Sequence, residues 1–226
     1  LAGLLPAELV RSDPVTASHL RRLWDHWWRE RGALADVVLP RPVWNLSGLR
    51  PAIRPERRLA LAARWLSRTN LVDRLEAWFN AEVPERELNP SLLQTLEVGD
   101  DPFWSWHWTL RSRRLAAPQP LLGASRTTDL AVNVILPWFW VRAQTGGSEL
   151  LRRRAEQRYF AWPRADDNAV LRLARQRLLA GGPDRSFSSA ARQQGLLQLV
   201  RDFCDRANAL CEGCRFPGLL RTLCGR

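Results

Sequence analysis

Thr127-Thr128-Asp129-Leu130-Ala131-Val132-Asn133-Val134-Ile135-Leu136-Pro137-Trp138-Phe139-Trp140-Val141 contains the longest apolar run of the chain. It falls short of the roughly 20 residues that span a bilayer, and Asn133 and Pro137 interrupt it. The run is too long for an ordinary strand, and Thr127 or Thr128 followed by Asp129 supplies a helix cap with an acid in the first turn. Residues 130–141 therefore predict a buried central helix, kinked near Pro137 because proline cannot donate to the helical ladder.

Outward from that helix the period stays helical. Leu20, Leu23, Trp24, Trp27 and Trp28 recur on one face of 16–31, with His19, Arg22, Asp25, His26, Arg29 and Glu30 interleaved, which predicts an amphipathic helix ended by Gly32. Further helices are expected over 55–67, 70–80, 89–96, 148–160, 168–179 and 189–211, separated by proline and glycine breaks. Residues 38–55 are proline-rich and loop-like. One segment changes period: Trp104, Trp106, Trp108 and Leu110 alternate with Ser105, His107 and Thr109, which argues for a strand with one buried face. The expected fold is mainly α, a compact multi-helix module over 1–226 with at most a short β hairpin or strand near 103–122.

With 226 residues, 46% of them hydrophobic, the chain can fill a real core, which excludes disorder over most of its length. All 34 basic residues are arginine, and against 23 acids they leave a net charge of +11. Arginine in place of lysine follows from a GC-rich genome. The excess of base is the electrostatic footprint of a nucleic-acid or other polyanion partner, or a means of solubility. The chain starts at Leu1 and contains no methionine, so it is expected to be part of a longer cytoplasmic protein, with no secretory signal at its start and no membrane partner.

All four cysteines fall in the tail 204–226, as Cys204, Cys211, Cys214 and Cys224. A Cys-x2-Cys pair lets two thiolates reach one ion from a single turn, and Cys204 lies two helical turns before Cys211. Pro217-Gly218 reads as a turn that folds the tail back. Zinc or a [4Fe-4S] cluster suits four thiolates, and spacing does not separate the two. The competing readings are a disulfide pair and plain packing thiols.

Arg50, Arg54, Arg57 and Arg58 surround two prolines just before the 55–67 helix. They form a candidate anion site, since a helix N-terminus adds partial positive charge; solvated charges at a rigid helix start are the plainer reading. Gly195, in Arg192-Gln193-Gln194-Gly195, suggests a close approach by another backbone or a ligand. Asp129 and Asn133 pair at i,i+4. The twelve tryptophans fall largely at core-facing positions and read mainly as packing rather than as base-stacking platforms. No catalytic constellation is present: the three histidines form no triad, and no nucleophile elbow, P-loop or dinucleotide fingerprint occurs.

Three elements in order carry a resemblance. Arg50-Pro51-Ala52 with Pro55 and Arg57-Arg58, then Leu122-Gly123 leading to residues 129–137, then Ala191-Arg192-Gln193-Gln194-Gly195-Leu196 running into Cys204, Cys211 and Cys214 resemble an uncharacterised bacterial family, domain of unknown function family 2851. The resemblance runs from about residue 49 onward. It implies an additional N-terminal region, rich in histidine and acids, and it carries no catalytic residue; any active site is expected in that region. The functional expectation is a basic helical binding module, nucleic-acid-associated, with a cysteine-held structural metal or cluster. The alternative is a structural or regulatory interaction domain that packs on that N-terminal region and has neither property.

Overall fold

Caps and prolines set the helix limits. The computed structural model describes residues 13–43, 54–179, 188–204 and 213–225. Along them run α1 (Pro14–Leu34), α2 (Pro55–Leu66), α3 (Leu71–Asn80), α4 (Leu88–Leu96), α5 (Ala124–Leu130), α6 (Leu136–Thr145), α7 (Glu149–Ala161), α8 (Ala169–Leu179), α9 (Ala190–Phe203) and α10 (Phe216–Cys224). No strand occurs among the described residues; an antiparallel bridge joins Pro163 and Ser189. The fold is all-α. Chain contacts divide it into two units, Leu1–Asp73 with Leu96–Leu122 and Arg74–Thr95 with Gly123–Arg226.

In the first unit Asp13 caps α1. Its carboxylate accepts from the backbone N–H of Val15 and Thr16 at 3.0 and 3.1 Å and from the Thr16 hydroxyl at 2.7 Å, with Pro14 in the first turn. Thr16 and Leu20 are buried, whereas the C-terminal half of α1 carries no buried residue. The core is completed by Leu61 of α2 and by Phe103, Trp104 and Leu122 from the segment after α4.

That segment is a chain of turns where alternation predicted a strand. The Asp101 carboxylate accepts from Phe103 and Trp104 N–H at 2.9 and 2.7 Å, Ser105 N–H bonds Asp101 C=O, and Trp106 N–H bonds Phe103 C=O. Ser112 Oγ accepts from Trp108 and Thr109 N–H. Short polar side chains thus take the donors a strand ladder would need. The alternation also fails in burial, since Ser105 and His107 are buried together with Trp104.

The second unit contains the stretch that decides the fold. Its first part differs from expectation at both ends. The N-cap is Gly123, and Thr127 and Thr128 are buried inside α5. Thr127 Oγ1 donates to Gly123 C=O, and Thr128 Oγ1 accepts from Asn89 Nδ2 at 2.9 Å and Trp162 Nε1 at 3.3 Å. The kink expected at Pro137 is a π-helical turn, Ala131–Ile135, in which Leu136 N–H reaches back five residues to Ala131 C=O. Pro137 cannot donate to the carbonyl four residues earlier, so the ladder widens just ahead of it and α6 restarts with proline in its first turn.

Gly147 turns the chain from α6 into α7. Its φ of +67° lies in the left-handed region, and Gly146 and Ser148 N–H bond Arg142 and Ala143 C=O. The α6–α7 pair encloses Ile135, Leu136, Phe139, Ala143 and Ala155, and Phe79 of α3 stacks on Phe139 with centroids 3.9 Å apart. Aromatic pairing of this kind contributes about 0.5–1.5 kcal/mol beyond area burial. Leu171 and Ala174 of α8 pack on Leu196 and Val200 of α9. Gln193 ties α9 to the extended segment before α8, accepting from Ala165 N–H at 2.7 Å and donating to Ala165 C=O at 3.1 Å.

Two further expectations change here. A Cβ at Gly195 would meet nothing within 4 Å, so no backbone among the described residues approaches it. Pro217-Gly218 does not form a turn, because Pro217 sits in the first turn of α10, where a missing N–H costs nothing. Residues 44–53 of the proline-rich segment and the break between the 168–179 and 189–211 helices lie outside the described residues.

Candidate functional site

Among the described residues each unit contains one buried arginine, and both do the same work. Arg57, 3% exposed, donates through Nη1 to Trp104 C=O and, at 3.0 Å, to His107 C=O, and through Nη2 to Pro120 C=O at 3.1 Å; its guanidinium lies 4.6 Å from the Trp108 ring centroid. Arg158, 7% exposed, donates to Trp78 C=O at 3.1 Å and Ala81 C=O at 2.5 Å, over the Trp78 ring at 4.6 Å. The first holds a series of turns and the second closes the C-terminal end of α3, where carbonyls lack helical partners. Burial pushes both guanidinium groups below their ordinary range, Arg158 to about 10, with nearby Arg154 adding to the shift and Glu82 opposing it.

This geometry bears on the expected anion site. Arg57 points into its unit, Arg54 is half-buried and pairs with Glu56 at 3.6 Å, Arg58 is exposed, and Arg50 lies outside the described residues. The described arginines at the start of α2 therefore do not converge on one anion. The Asp129–Asn133 pair is internal, with Asn133 Nδ2 donating to Asp129 C=O at 2.9 Å and Arg126 pairing with the carboxylate at 2.8 Å.

Of the cysteines, Cys204 caps α9 and is half-buried against the Leu171, Ala174, Leu196 and Val200 cluster, and Cys214 is a half-buried free thiol. Cys211 lies outside the described residues, and Cys224 is the last residue of α10. Among the described residues no three histidines, cysteines or acids gather as a metal site.

The exposed arginines sort by partner. Several in the second unit are paired: Arg142 with Glu76, Arg152 with Glu149 and Glu156, Arg153 with Glu149, Arg154 with Glu82, and Arg175 with Asp167. Arg152 and then Arg153 draw the Glu149 carboxyl down to about 2. On α1 none of Arg21, Arg22, Arg29 and Arg31 forms an ion pair with a carboxylate among the described residues. Arg29 bonds His26 Nδ1 at 3.0 Å and Asp25 C=O, and Arg31 lies 3.6 Å from the centroid of Trp28. Trp28 is 52% exposed and stacks on Trp24 with centroids 5.6 Å apart.

The sequence stripe assigned these tryptophans to packing. Leu20 alone of that stripe is buried; the core ends one turn before Trp24. The signal available in the sequence was the interleaving of Arg21, Arg22, Arg29 and Arg31 with Trp24 and Trp28, which the hydrophobic period masks.

The base of α1 is held by a three-ring stack. His19 lies on Phe103 at 3.9 Å and 3°, and Phe103 lies on His107 at 4.2 Å and 11°. His19 Nε2 is buried without a partner among the described residues. Burial lowers its pKa to about 4, with Arg22 and His107 adding and Asp101 opposing.

An all-helical protein with internal arginine clamps and one basic, aromatic helix face is thereby defined. The chain belongs to a family of proteins of unknown function, DUF2851, whose model matches residues 1–167. The match starts earlier than the resemblance at 49 suggested and ends at the segment before α8. It takes in both clamps and all of α1, and leaves the Gln193 element and every cysteine outside. No curated protein and no solved structure matches the chain. Among the described residues no helix is long and apolar enough to cross a membrane.

Proposed function

We propose that this protein binds polyanions, single-stranded nucleic acid foremost, through α1. The observation that carries the reading is what α1 brings together: an exposed Trp28 stacked on the half-buried Trp24, on a helix whose Arg21, Arg22, Arg29 and Arg31 form no ion pair with a carboxylate among the described residues. Unpaired arginines supply phosphate contacts, and an exposed indole supplies a sequence-tolerant stacking platform worth about 1–3 kcal/mol per base. Duplex, whose bases are already stacked, offers only its backbone. The test is fluorescence anisotropy of a labelled single-stranded oligonucleotide and of its duplex. Tighter binding of the single strand, weakened about tenfold or more by Trp28→Ala, supports the reading; absent or salt-independent binding overturns it.

A second reading has its own observation. Leu34, the last residue of α1, and Val37, Val38, Leu39 and Val43 after it are 42–69% exposed. Such a patch suits a protein partner, including another region of the same protein. The cysteine tail adds a separate element to the proposal, in which Cys204, Cys211, Cys214 and Cys224 ligate zinc or a [4Fe-4S] cluster; metal analysis after anaerobic purification that found neither metal would remove it.

A further inference from the structure

Between α6 and α7, within the second unit, lies a groove of about 410 Å³. Val132 and Leu136 come from the π-helical turn and the helix start that follows it, Trp140 from α6, and Glu156, Tyr159 and Phe160 from α7. The volume falls in the range of small-molecule sites, and helical ladders widened by one residue often mark such sites. On a chain of net charge +11 the one charged side chain lining this groove among the described residues is an acid.

Glu156 is held in place. Its Oε1 accepts from Trp140 Nε1 at 2.9 Å and from Arg152, leaving Oε2 without a hydrogen bond among the described residues. Arg152 does not neutralise it alone, because the same guanidinium also bonds both oxygens of Glu149 at 2.7 and 2.8 Å. Trp140 and Phe160 are 36% and 66% exposed and Tyr159 is half-buried, so indole and phenyl groups stand open, with the phenol partly so, in a groove that holds one carboxylate.

We propose that this groove binds a small soluble molecule bearing a methylated ammonium. Three aromatic rings and a carboxylate attract a cation through ring quadrupole and charge. The rest of the lining is aliphatic, so an ammonium with three N–H donors would find few acceptors beyond Glu156 Oε2 and the Tyr159 hydroxyl, whereas a quaternary nitrogen has no donor to satisfy. The groove stands on different residues from the α1 face and does not depend on it.

The probe is choline, compared with its uncharged carbon isostere 3,3-dimethyl-1-butanol and with ethanolamine. Binding is followed by calorimetry and by the Trp140 indole N–H resonance in the whole chain. Choline is expected to bind at least about tenfold tighter than either comparison molecule and to shift that resonance. Glu156→Gln, which preserves the hydrogen-bonding shape, is expected to lower choline affinity about fivefold or more with helix content unchanged, and Trp140→Leu is expected to abolish it. Equal binding of choline and the carbon isostere, no binding of choline at millimolar concentration, or an unaltered Glu156→Gln variant each overturns the proposal. Should Trp140→Leu fail to fold, the Glu156→Gln arm and the wild-type resonance still decide.

Discussion

Arg57→Ala is the sharpest test of how this sequence uses its arginines. The guanidinium satisfies the carbonyls of Trp104, His107 and Pro120, the first two in a buried setting and the third partly wet. Truncation leaves two buried acceptors unpaired at about 1–3 kcal/mol each, while water replaces the donor at Pro120 and the contact with the Trp108 ring is lost for roughly another 0.5–1 kcal/mol. The expected loss is about 3–5 kcal/mol, large against the 5–15 kcal/mol stability of a typical domain. Arg57→Lys recovers only part of it, since one ammonium cannot match the planar fork that reaches three carbonyls. Arg113→Ala, an exposed arginine of the same segment, is the control and is expected to stay within about 0.5 kcal/mol. Urea unfolding gives the free energies, and hydrogen exchange gives the location: the amides of Ser105, Trp106, Leu115 and Gln119 should lose protection. If Arg57→Ala unfolds like Arg113→Ala and instead loses oligonucleotide binding, the side chain faces a ligand and the internal clamp is refuted.

Arg158→Ala should likewise cost about 2–4 kcal/mol and raise exchange at the end of α3, measured against the exposed Arg153→Ala. Because burial depresses the His19 pKa to about 4 from 6.5, the folded state binds its proton more weakly than the unfolded state. Stability from neutral His19 is therefore complete above about pH 6.5 and is lost as pH falls toward 4, and Asp13, whose pKa is lowered chiefly by the Thr16 hydroxyl, removes more below its own range. Discounted for partial exposure, the His19 share is about 1–2 kcal/mol, so His19→Phe should gain that much relative to wild type between pH 7 and 4.5; parallel curves would refute the buried stack. Gly195→Ala should stabilise α9 by about 0.5–1 kcal/mol in thermal unfolding, and a loss would show that something does approach that face.

Helix positions were legible because period and punctuation agree: Pro55, Ser148 and Ser189 begin α2, α7 and α9 within a residue of their expected starts. The 103–110 segment was misread because alternation of tryptophans mimics a strand. What decides its conformation is the competition of Asp101, Ser105 and Ser112 for backbone donors, together with an arginine some 50 residues earlier. The Arg50 to Arg58 run illustrates a general limit: charge counts do not distinguish Arg57, which turns inward, from Arg58 beside it. Trp28 was hidden by the reverse error, since helical spacing marks a stripe without saying where the partner surface ends. α10 went unseen because Pro217-Gly218 is as compatible with a first helical turn as with a reverse turn.

The polyanion reading rests on four arginines without carboxylate partners among the described residues, and the salt dependence of binding counts such contacts. For a single strand each neutralised phosphate contributes a slope of about 0.7 in log affinity against log salt. Wild type is expected to show a slope of about −2 to −3, and the variant with Arg21, Arg22, Arg29 and Arg31 changed to Gln a slope near zero with helix content unchanged. An equal slope in the two proteins, or no binding by wild type at low salt, would contradict the assignment of this face to nucleic acid.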